Sequence, residues 1–262
     1  MSSSKRDIAK NPMRRRLLWE TVWPWLYYEL IASFVYLLYG WFFGEMGSML
    51  ISMTAASLIL VPVYYYRESR KEEEGGALKS RSKRPVLFGF FGLAVTASSA
   101  CIFFNLLLFL LGLFRLTDSH EAVNEVLFGA PFWLQLLAMG AAAPFTEELI
   151  YRGLAYRRLR TVMGVLPAAG LSALFFALTH GNLLQGIYTA ALGMLLALVY
   201  ETYGFAAAVW FHAWANLTSI GMNQFVALLP ELVTAPWFAV LLLAAGGVGT
   251  AAGTANIIKK IH

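Results

Sequence analysis

The chain has 262 residues, of which 59% are hydrophobic and only 13% are charged, whereas an average soluble domain carries roughly 25% charged residues. This deficit excludes an ordinary water-soluble domain, and we expect an all-α integral membrane protein. The net charge of +5 does not indicate nucleic-acid binding, because the basic residues stand in short segments beside apolar runs. We therefore expect a lipid bilayer, and no nucleic acid, around the chain.

Eight apolar runs follow in chain order, each close to the ~20 residues that cross the hydrocarbon core of a bilayer. A basic N-terminal region, 1–24, precedes a single transmembrane core at 25–254, and a charged loop at 67–84 separates the second run from the third. The predicted spans are 25–43, 48–66, 86–114, 131–156, 163–179, 183–200, 205–222 and 235–254.

Basic residues cluster in alternate connections between the predicted spans. They cluster before the first span, in the 67–84 loop, after the fourth span and at the C-terminus. The positive-inside rule then predicts that both termini are cytoplasmic. From the compact length and short loops we expect a multi-pass protein of a bacterial cytoplasmic membrane. We interpret Glu29, in the first span, as an interfacial carboxylate that extends toward the lipid headgroups.

The fourth span carries the first polar motif, Thr146-Glu147-Glu148, followed by Arg152. Neighbouring residues on an α-helix differ by about 100°, so Glu147 and Glu148 cannot share one direction. Arg152 stands four residues after Glu148, which favours an ion pair. We expect Glu148 to pair with Arg152, and Glu147 to face a cavity as a general base. The alternative is a structural salt-bridge cluster at the end of the span.

Two further motifs follow, Phe176-x3-His180 and His212-x3-Asn216. His212 and Asn216 share one helix face, and ionisable residues inside apolar helices usually line cavities with a function. Counting ~1.5 Å per residue places His180 deeper than Glu147 and His212. A bend of the fifth span at a glycine or proline would reduce that mismatch. The alternative for His180 is an interfacial histidine at the end of its span. The alternative for His212 and Asn216 is a hydrogen bond between helices.

Together, Glu147-Glu148-x3-Arg152, Phe176-x3-His180 and His212-x3-Asn216 resemble the CAAX protease and bacteriocin-processing enzyme family of intramembrane proteases. The resemblance covers residues 141–216. The layout of eight predicted spans is looser support for it, and we expect about eight transmembrane helices around a buried polar cavity. The resemblance also implies a membrane-associated peptide or protein as substrate, either lipidated or membrane-embedded.

The resemblance further implies a role for each motif residue. The catalytic residues would be Glu147 and His180, which activate water, and His212 and Asn216, which stabilise the oxyanion. The supporting residues would be Glu148, Arg152 and Phe176. The favoured mechanism requires no cofactor.

Zinc is the alternative, with the ligands Glu147, His180 and His212, because two histidines and a glutamate form one known catalytic zinc set. The chain has no H-E-x-x-H helix, which weighs against it. Two other classes stay open, a proton-coupled transporter and a non-catalytic membrane scaffold.

Overall fold

The computed structural model describes residues 12–44, 47–73, 87–113, 119–180 and 183–261. These residues form helices and short turns with no strand, which confirms the all-α prediction for this part of the chain. An interrupted helix at 132–159 is called α5. In chain order the other helices are α1 (Pro12–Phe43), α2 (Ser48–Glu73), α3 (Leu87–Leu110), α4 (Ser119–Phe128), α6 (Val165–Leu178), α7 (Leu183–Tyr203), α8 (Phe205–Leu228), α9 (Pro230–Thr234) and α10 (Pro236–Ile258).

Five helices among the described residues are long and apolar enough to cross a membrane, so the chain is a multi-pass membrane protein. Five of the eight predicted spans are thereby confirmed by length and composition. The five helical stretches are Val22–Phe43, Ser48–Arg67, Gly89–Leu110, Leu183–Tyr203 and Pro236–Ile258.

The other three predicted spans correspond to α5, α6 and α8. Helix α6 has only 14 residues, and α5 is interrupted and carries two carboxylates and three arginines. Helix α8 contains a histidine and several amides. The helices that fall short of an ordinary apolar span are therefore those that carry the motif residues, and the number of eight spans stays a prediction.

Three contacts join segments that are separated by an even number of the predicted spans. They place the start of α1, the end of α5, the end of α7 and the turn after α10 near one another, as expected if both termini are on one side. Orientation toward the cytoplasm stays a prediction. The contacts are Arg158 Nε to Glu20 Oε2 at 3.1 Å, Arg160 Nη2 to Glu201 Oε1 at 3.0 Å, and Lys260 Nζ over the Tyr203 ring at 5.1 Å.

Helix α3 connects the last helix to the helix that carries the third motif. Gly253 of α10 lies directly on Thr96 of α3, where an added Cβ would overlap the threonine side chain. Small residues allow such close helix contacts in membrane proteins. On its other side, α3 contacts α8 through the hydroxyls of Ser98 and Thr218, 2.7 Å apart.

The helix bounds revise two predicted boundaries. Helix α1 begins at Pro12 and continues through Pro24, so the boundary between the N-terminal region and the core falls inside a continuous helix. Helix α2 extends to Glu73, because the Arg, Lys and Glu residues at the start of the predicted 67–84 loop are good helix formers. The remainder of that loop, and residues 1–11, lie outside the described residues.

Candidate active site

The two glutamates of the first motif lie in a short α-helical turn of α5, between two wider turns. The turn Ala143–Glu148 follows the π-helical segment Ala138–Ala142 and precedes the π-helical segment Leu149–Tyr156. Such π-helical turns inside helices are rare and are frequent at functional sites. The irregular backbone of α5 therefore coincides with the acidic motif.

Pro144 explains why Asn216 of α8 contacts α5. The N–H of Ala143 bonds to the carbonyl of Ala138, five residues earlier, so the carbonyl of Met139 would need the N–H of residue 144. Proline has none, and Nδ2 of Asn216 donates to the Met139 carbonyl instead, at 2.8 Å. One amide proton thus holds α8 against α5, and the second is available to the cavity that Asn216 lines.

Glu148 and Arg152 form the predicted ion pair, and both side chains are completely buried. Arg152 Nη1 donates to Glu148 Oε1 at 2.8 Å, and Arg152 Nη2 donates to the carbonyl of Gly193 in α7 at 3.2 Å. His212 Nδ1 lies 2.9 Å from the same Glu148 oxygen. Because a carboxylate paired with arginine is an acceptor, His212 carries a proton on Nδ1.

Glu147 lies beside this cluster and faces the cavity. Its side chain is 15% exposed, and its Oε2 lies 3.6 Å from His212 Nε2. That distance exceeds the length of an ordinary N–H···O hydrogen bond, so the two groups are not hydrogen-bonded to each other. The structure therefore separates the two glutamates as expected: Glu148 is paired, and Glu147 is open to the cavity.

The end of α6 orients His180. The last turn tightens, so the N–H of His180 bonds to the carbonyl of Ala177 at 3.2 Å. The Phe176 carbonyl is then free to accept from His180 Nδ1, at 2.8 Å. Since a carbonyl only accepts, the ring proton is on Nδ1, and neutral His180 keeps a lone pair on Nε2. His180 lines the same cavity as Glu147.

A chain of hydroxyls supports this histidine. Thr179 Oγ1 also donates to the Phe176 carbonyl at 2.8 Å. The Tyr151 hydroxyl lies 2.8 Å from Thr179 Oγ1. Tyr151 is the donor in this bond, because the threonine hydroxyl already donates its proton to the Phe176 carbonyl. Tyr151 of α5 thereby fixes the end of α6.

Phe176 is the common neighbour of the site residues. Its ring centroid lies 4.8 Å from that of His180 and 5.8 Å from that of His212. The Arg152 guanidinium carbon lies 4.8 Å from the same centroid, which is within the range of a cation–π contact. The two imidazoles predicted to work together are thus held around one buried ring.

One cavity joins these groups and has a volume of about 750 Å³, within the range of small-molecule and cofactor sites. All four residues predicted to be catalytic line it, and so does Phe176, whereas Glu148 and Arg152 lie behind its wall. Apolar side chains line much of the remainder, among them Leu37, Met49, Met53, Leu108, Leu127 and Phe128.

Sequence reasoning missed several residues of this site. Glu29 was expected at an interface and instead lines the cavity; its position depends on the packing of α1, which no local pattern reports. Gly193 contributes a backbone carbonyl, which any residue has. Tyr151 stood inside the first motif, and only its contact with Thr179 distinguishes it from an ordinary buried tyrosine.

The zinc alternative requires Glu147, His180 and His212 to converge as ligands. In the part of the chain that the structure describes, no group of three or more His, Cys, Asp or Glu side chains is placed to hold a metal ion. The geometry therefore gives this ligand set no support, and we derive no step through a metal.

The fold defines a multi-pass helical membrane protein in which the motif residues surround one cavity. Residues 129–218 match the family described as Rce1-like, type II CAAX prenyl endopeptidase Rce1-like. This segment contains all seven predicted site residues, and the family predicted from the three motifs is confirmed for it. No curated protein and no solved structure matched the chain.

Proposed function

We propose that the protein is an intramembrane endopeptidase that hydrolyses a peptide bond in a lipidated or membrane-embedded substrate. The observation that carries this proposal is the pair Glu147 Oε2 and His212 Nε2, 3.6 Å apart at the wall of a 750 Å³ cavity. Glu147 is then available as a general base, and His212 as a donor to an oxyanion, beside space for water and a peptide.

Glu147 and His180 activate water in this mechanism. The Glu147 carboxylate accepts one proton from a water molecule in the cavity, and the lone pair on His180 Nε2 accepts a hydrogen bond from the other. The bond from His180 Nδ1 to the Phe176 carbonyl keeps that lone pair on Nε2. The hydroxide then adds to the carbonyl carbon of the scissile peptide bond.

His212 and Asn216 stabilise the oxyanion that this addition creates. The second amide proton of Asn216 Nδ2 is one donor. His212 is the other donor when both of its ring nitrogens are protonated, and its Nδ1–H then donates to the Glu148 carboxylate that it shares with Arg152. Donors held in place where negative charge develops often supply the largest single catalytic contribution.

Breakdown of the tetrahedral intermediate returns the proton. Glu147 donates it to the leaving nitrogen, the C–N bond breaks, and the carbonyl re-forms. One water molecule and one peptide bond are converted into a carboxyl group and an amine, and the site residues return to their starting protonation states.

A cleavage assay in lipid nanodiscs tests the proposal. Wild-type protein is incubated with prenylated, unprenylated and membrane-embedded peptides, and the products are identified by mass spectrometry. We expect cleavage by the wild type and a loss of ~10²–10⁴-fold in Glu147→Gln, the range for a removed general base. Glu125→Gln is the matched control, because Glu125 is exposed and does not line the cavity.

Additional arms distinguish the alternatives. Cleavage that survives a chelator supports the metal-free mechanism, whereas activity lost to the chelator and restored by zinc supports the zinc-dependent version. Substrate flux into liposomes without any cleavage would identify a transporter. A cellular phenotype that Glu147→Gln retains, with no cleavage of any peptide, would identify a scaffold.

A further inference from the structure

One face of α1 forms a wall of the cavity. The residues that line it recur with helical spacing: Glu29, Ala32, Ser33, Tyr36 and Leu37. This i, i+3, i+4, i+7, i+8 pattern is the signature of a single helix face. The face extends about 12 Å along the helix from Glu29 to Leu37, at ~1.5 Å per residue. The Glu29 carboxylate therefore lies at one end of it.

Glu29 accepts a hydrogen bond from a neutral donor. The indole N–H of Trp25 donates to Glu29 Oε1 at 3.1 Å, which orients the carboxylate and leaves its charge uncompensated. Among the described residues, no lysine or arginine lines the cavity. An ionisable group in an apolar helix is expensive to keep without a partner, so a partner from outside the chain would lower that cost.

The carboxylate lies near the reacting groups. Glu29 and Glu147 line the same cavity. Glu147 has His212 next to it, 3.6 Å away, whereas Glu29 has the Trp25 indole as its hydrogen-bond donor. The cavity thus presents a second carboxylate to which the described part of the chain brings no lysine or arginine.

Tyr28, the preceding residue, provides an independent indication of a ligand. It is 7% exposed and lines the cavity. Its hydroxyl lies near that of Ser57 but has no hydrogen-bond partner among the described residues. A buried polar group without a partner costs roughly 1–3 kcal/mol. A carbonyl of a bound peptide would satisfy this hydroxyl.

We propose that Glu29 and Tyr28 form a subsite for a positively charged residue of the peptide substrate. Glu29 binds an ammonium or guanidinium group, and the Tyr28 hydroxyl donates to a carbonyl of the peptide. The charged group is either a lysine or arginine side chain or a free α-amino group near the scissile bond. This inference rests on the proposed endopeptidase function and adds a preference for basic substrates to it.

A binding measurement tests the subsite separately from catalysis. Fluorescent peptides are titrated against the Glu147→Gln protein in nanodiscs, where cleavage does not interfere. The peptides differ only in one lysine, moved along the sequence or replaced by norleucine, and each is prepared with a free or an acetylated N-terminus. Loss of affinity on norleucine replacement identifies a side chain as the ligand, and loss on acetylation identifies the α-amino group.

We expect the cationic peptide to bind about tenfold more tightly than its neutral counterpart, in line with one charge-assisted hydrogen bond. Adding Glu29→Gln, which retains an acceptor for Trp25, should reduce this ratio to about one. Adding Glu29→Lys should reverse it in favour of a glutamate-containing peptide. Adding Glu125→Gln should leave it unchanged.

A ratio near one in the parent protein, or a preference that survives both Glu29 substitutions, would overturn the subsite. Thermal melting of each variant shows whether a lost preference reflects a lost fold. Failure of the proposed function looks different, because the protein with Glu147 intact would then cleave none of the peptides, whatever the binding ratio.

Discussion

His212 Nδ1 lies 2.9 Å from Oε1 of Glu148, a carboxylate that is completely buried. The same oxygen accepts a hydrogen bond from Arg152 at 2.8 Å. The buried Glu148 carboxylate therefore fixes the His212 ring, whose other nitrogen faces Glu147. The stability of the helix bundle and the orientation of the site depend on the same contacts.

Breaking the buried ion pair should unfold the protein more readily. Glu148→Gln leaves the Arg152 charge without its counter-ion, and removal of one partner of a buried pair costs about 3–5 kcal/mol. We expect a clearly lower melting temperature in detergent. Arg160→Gln serves as the control, because that pair is 30% and 25% exposed and should cost at most about 1 kcal/mol.

Replacing both charges should separate stability from activity. Glu148→Leu combined with Arg152→Met removes the unpaired charge, and apolar replacement of a buried pair is often neutral or stabilising. We expect the melting temperature to recover relative to Glu148→Gln while cleavage stays low, since His212 loses its acceptor. Recovery of full cleavage in the double variant would show that this contact is not needed.

Gly193→Ala should displace α7 from α6. An added Cβ would lie 3.0 Å from the Ala173 Cβ and 3.3 Å from Arg152 Nη2, and overpacking of this kind costs about 1–3 kcal/mol. Gly170→Ala is the matched control, because an added Cβ there contacts nothing within 4 Å. A melting temperature equal in both variants would contradict the close approach of the two helices.

Asn216→Ala should lower kcat far more than it raises KM. Loss of one oxyanion donor costs about 10²–10³-fold in kcat, because the donor acts on charge that exists only in the transition state. Asn223→Ala, at an exposed position of the same helix, should have wild-type kinetics. An effect confined to KM would assign Asn216 to substrate binding.

His180→Ala should lower the cleavage rate by ~10²–10⁴-fold, as for other groups that handle a proton. Thr179→Val removes the hydroxyl that donates to the Phe176 carbonyl and accepts from Tyr151, but the bond from His180 Nδ1 to that carbonyl remains. We expect a loss below about tenfold for the threonine variant. Equal losses would indicate that His180 acts through structure.

Helical spacing predicted the local relations within the site. Glu148 and Arg152 are four residues apart, as are His212 and Asn216, and in both cases the helix periodicity gave the shared face. The depth count placed His180 deeper than Glu147 and His212, whereas all three residues line one cavity. The His180 ring folds back one turn to the Phe176 carbonyl, since side chains on a helix point toward its N-terminus.

The contacts between helices could not be predicted from the sequence. The contact between Asn216 and Met139 requires the π-helical register before Pro144, and hydropathy does not report a change of helical register. The placement of Glu29 in the cavity requires the packing of α1 against the remaining helices, which an isolated carboxylate in one apolar run does not reveal.

The most direct test of the site measures whether Glu147 and His180 act on the same water molecule. Cleavage rates are compared for Glu147→Gln, His180→Ala and the double variant, in protein that melts like the wild type. Groups that act as a unit are strongly non-additive, so we predict that the double variant is about as slow as the slower single variant. Losses that multiply would show that the two residues act independently, and would contradict a shared hydrolytic site.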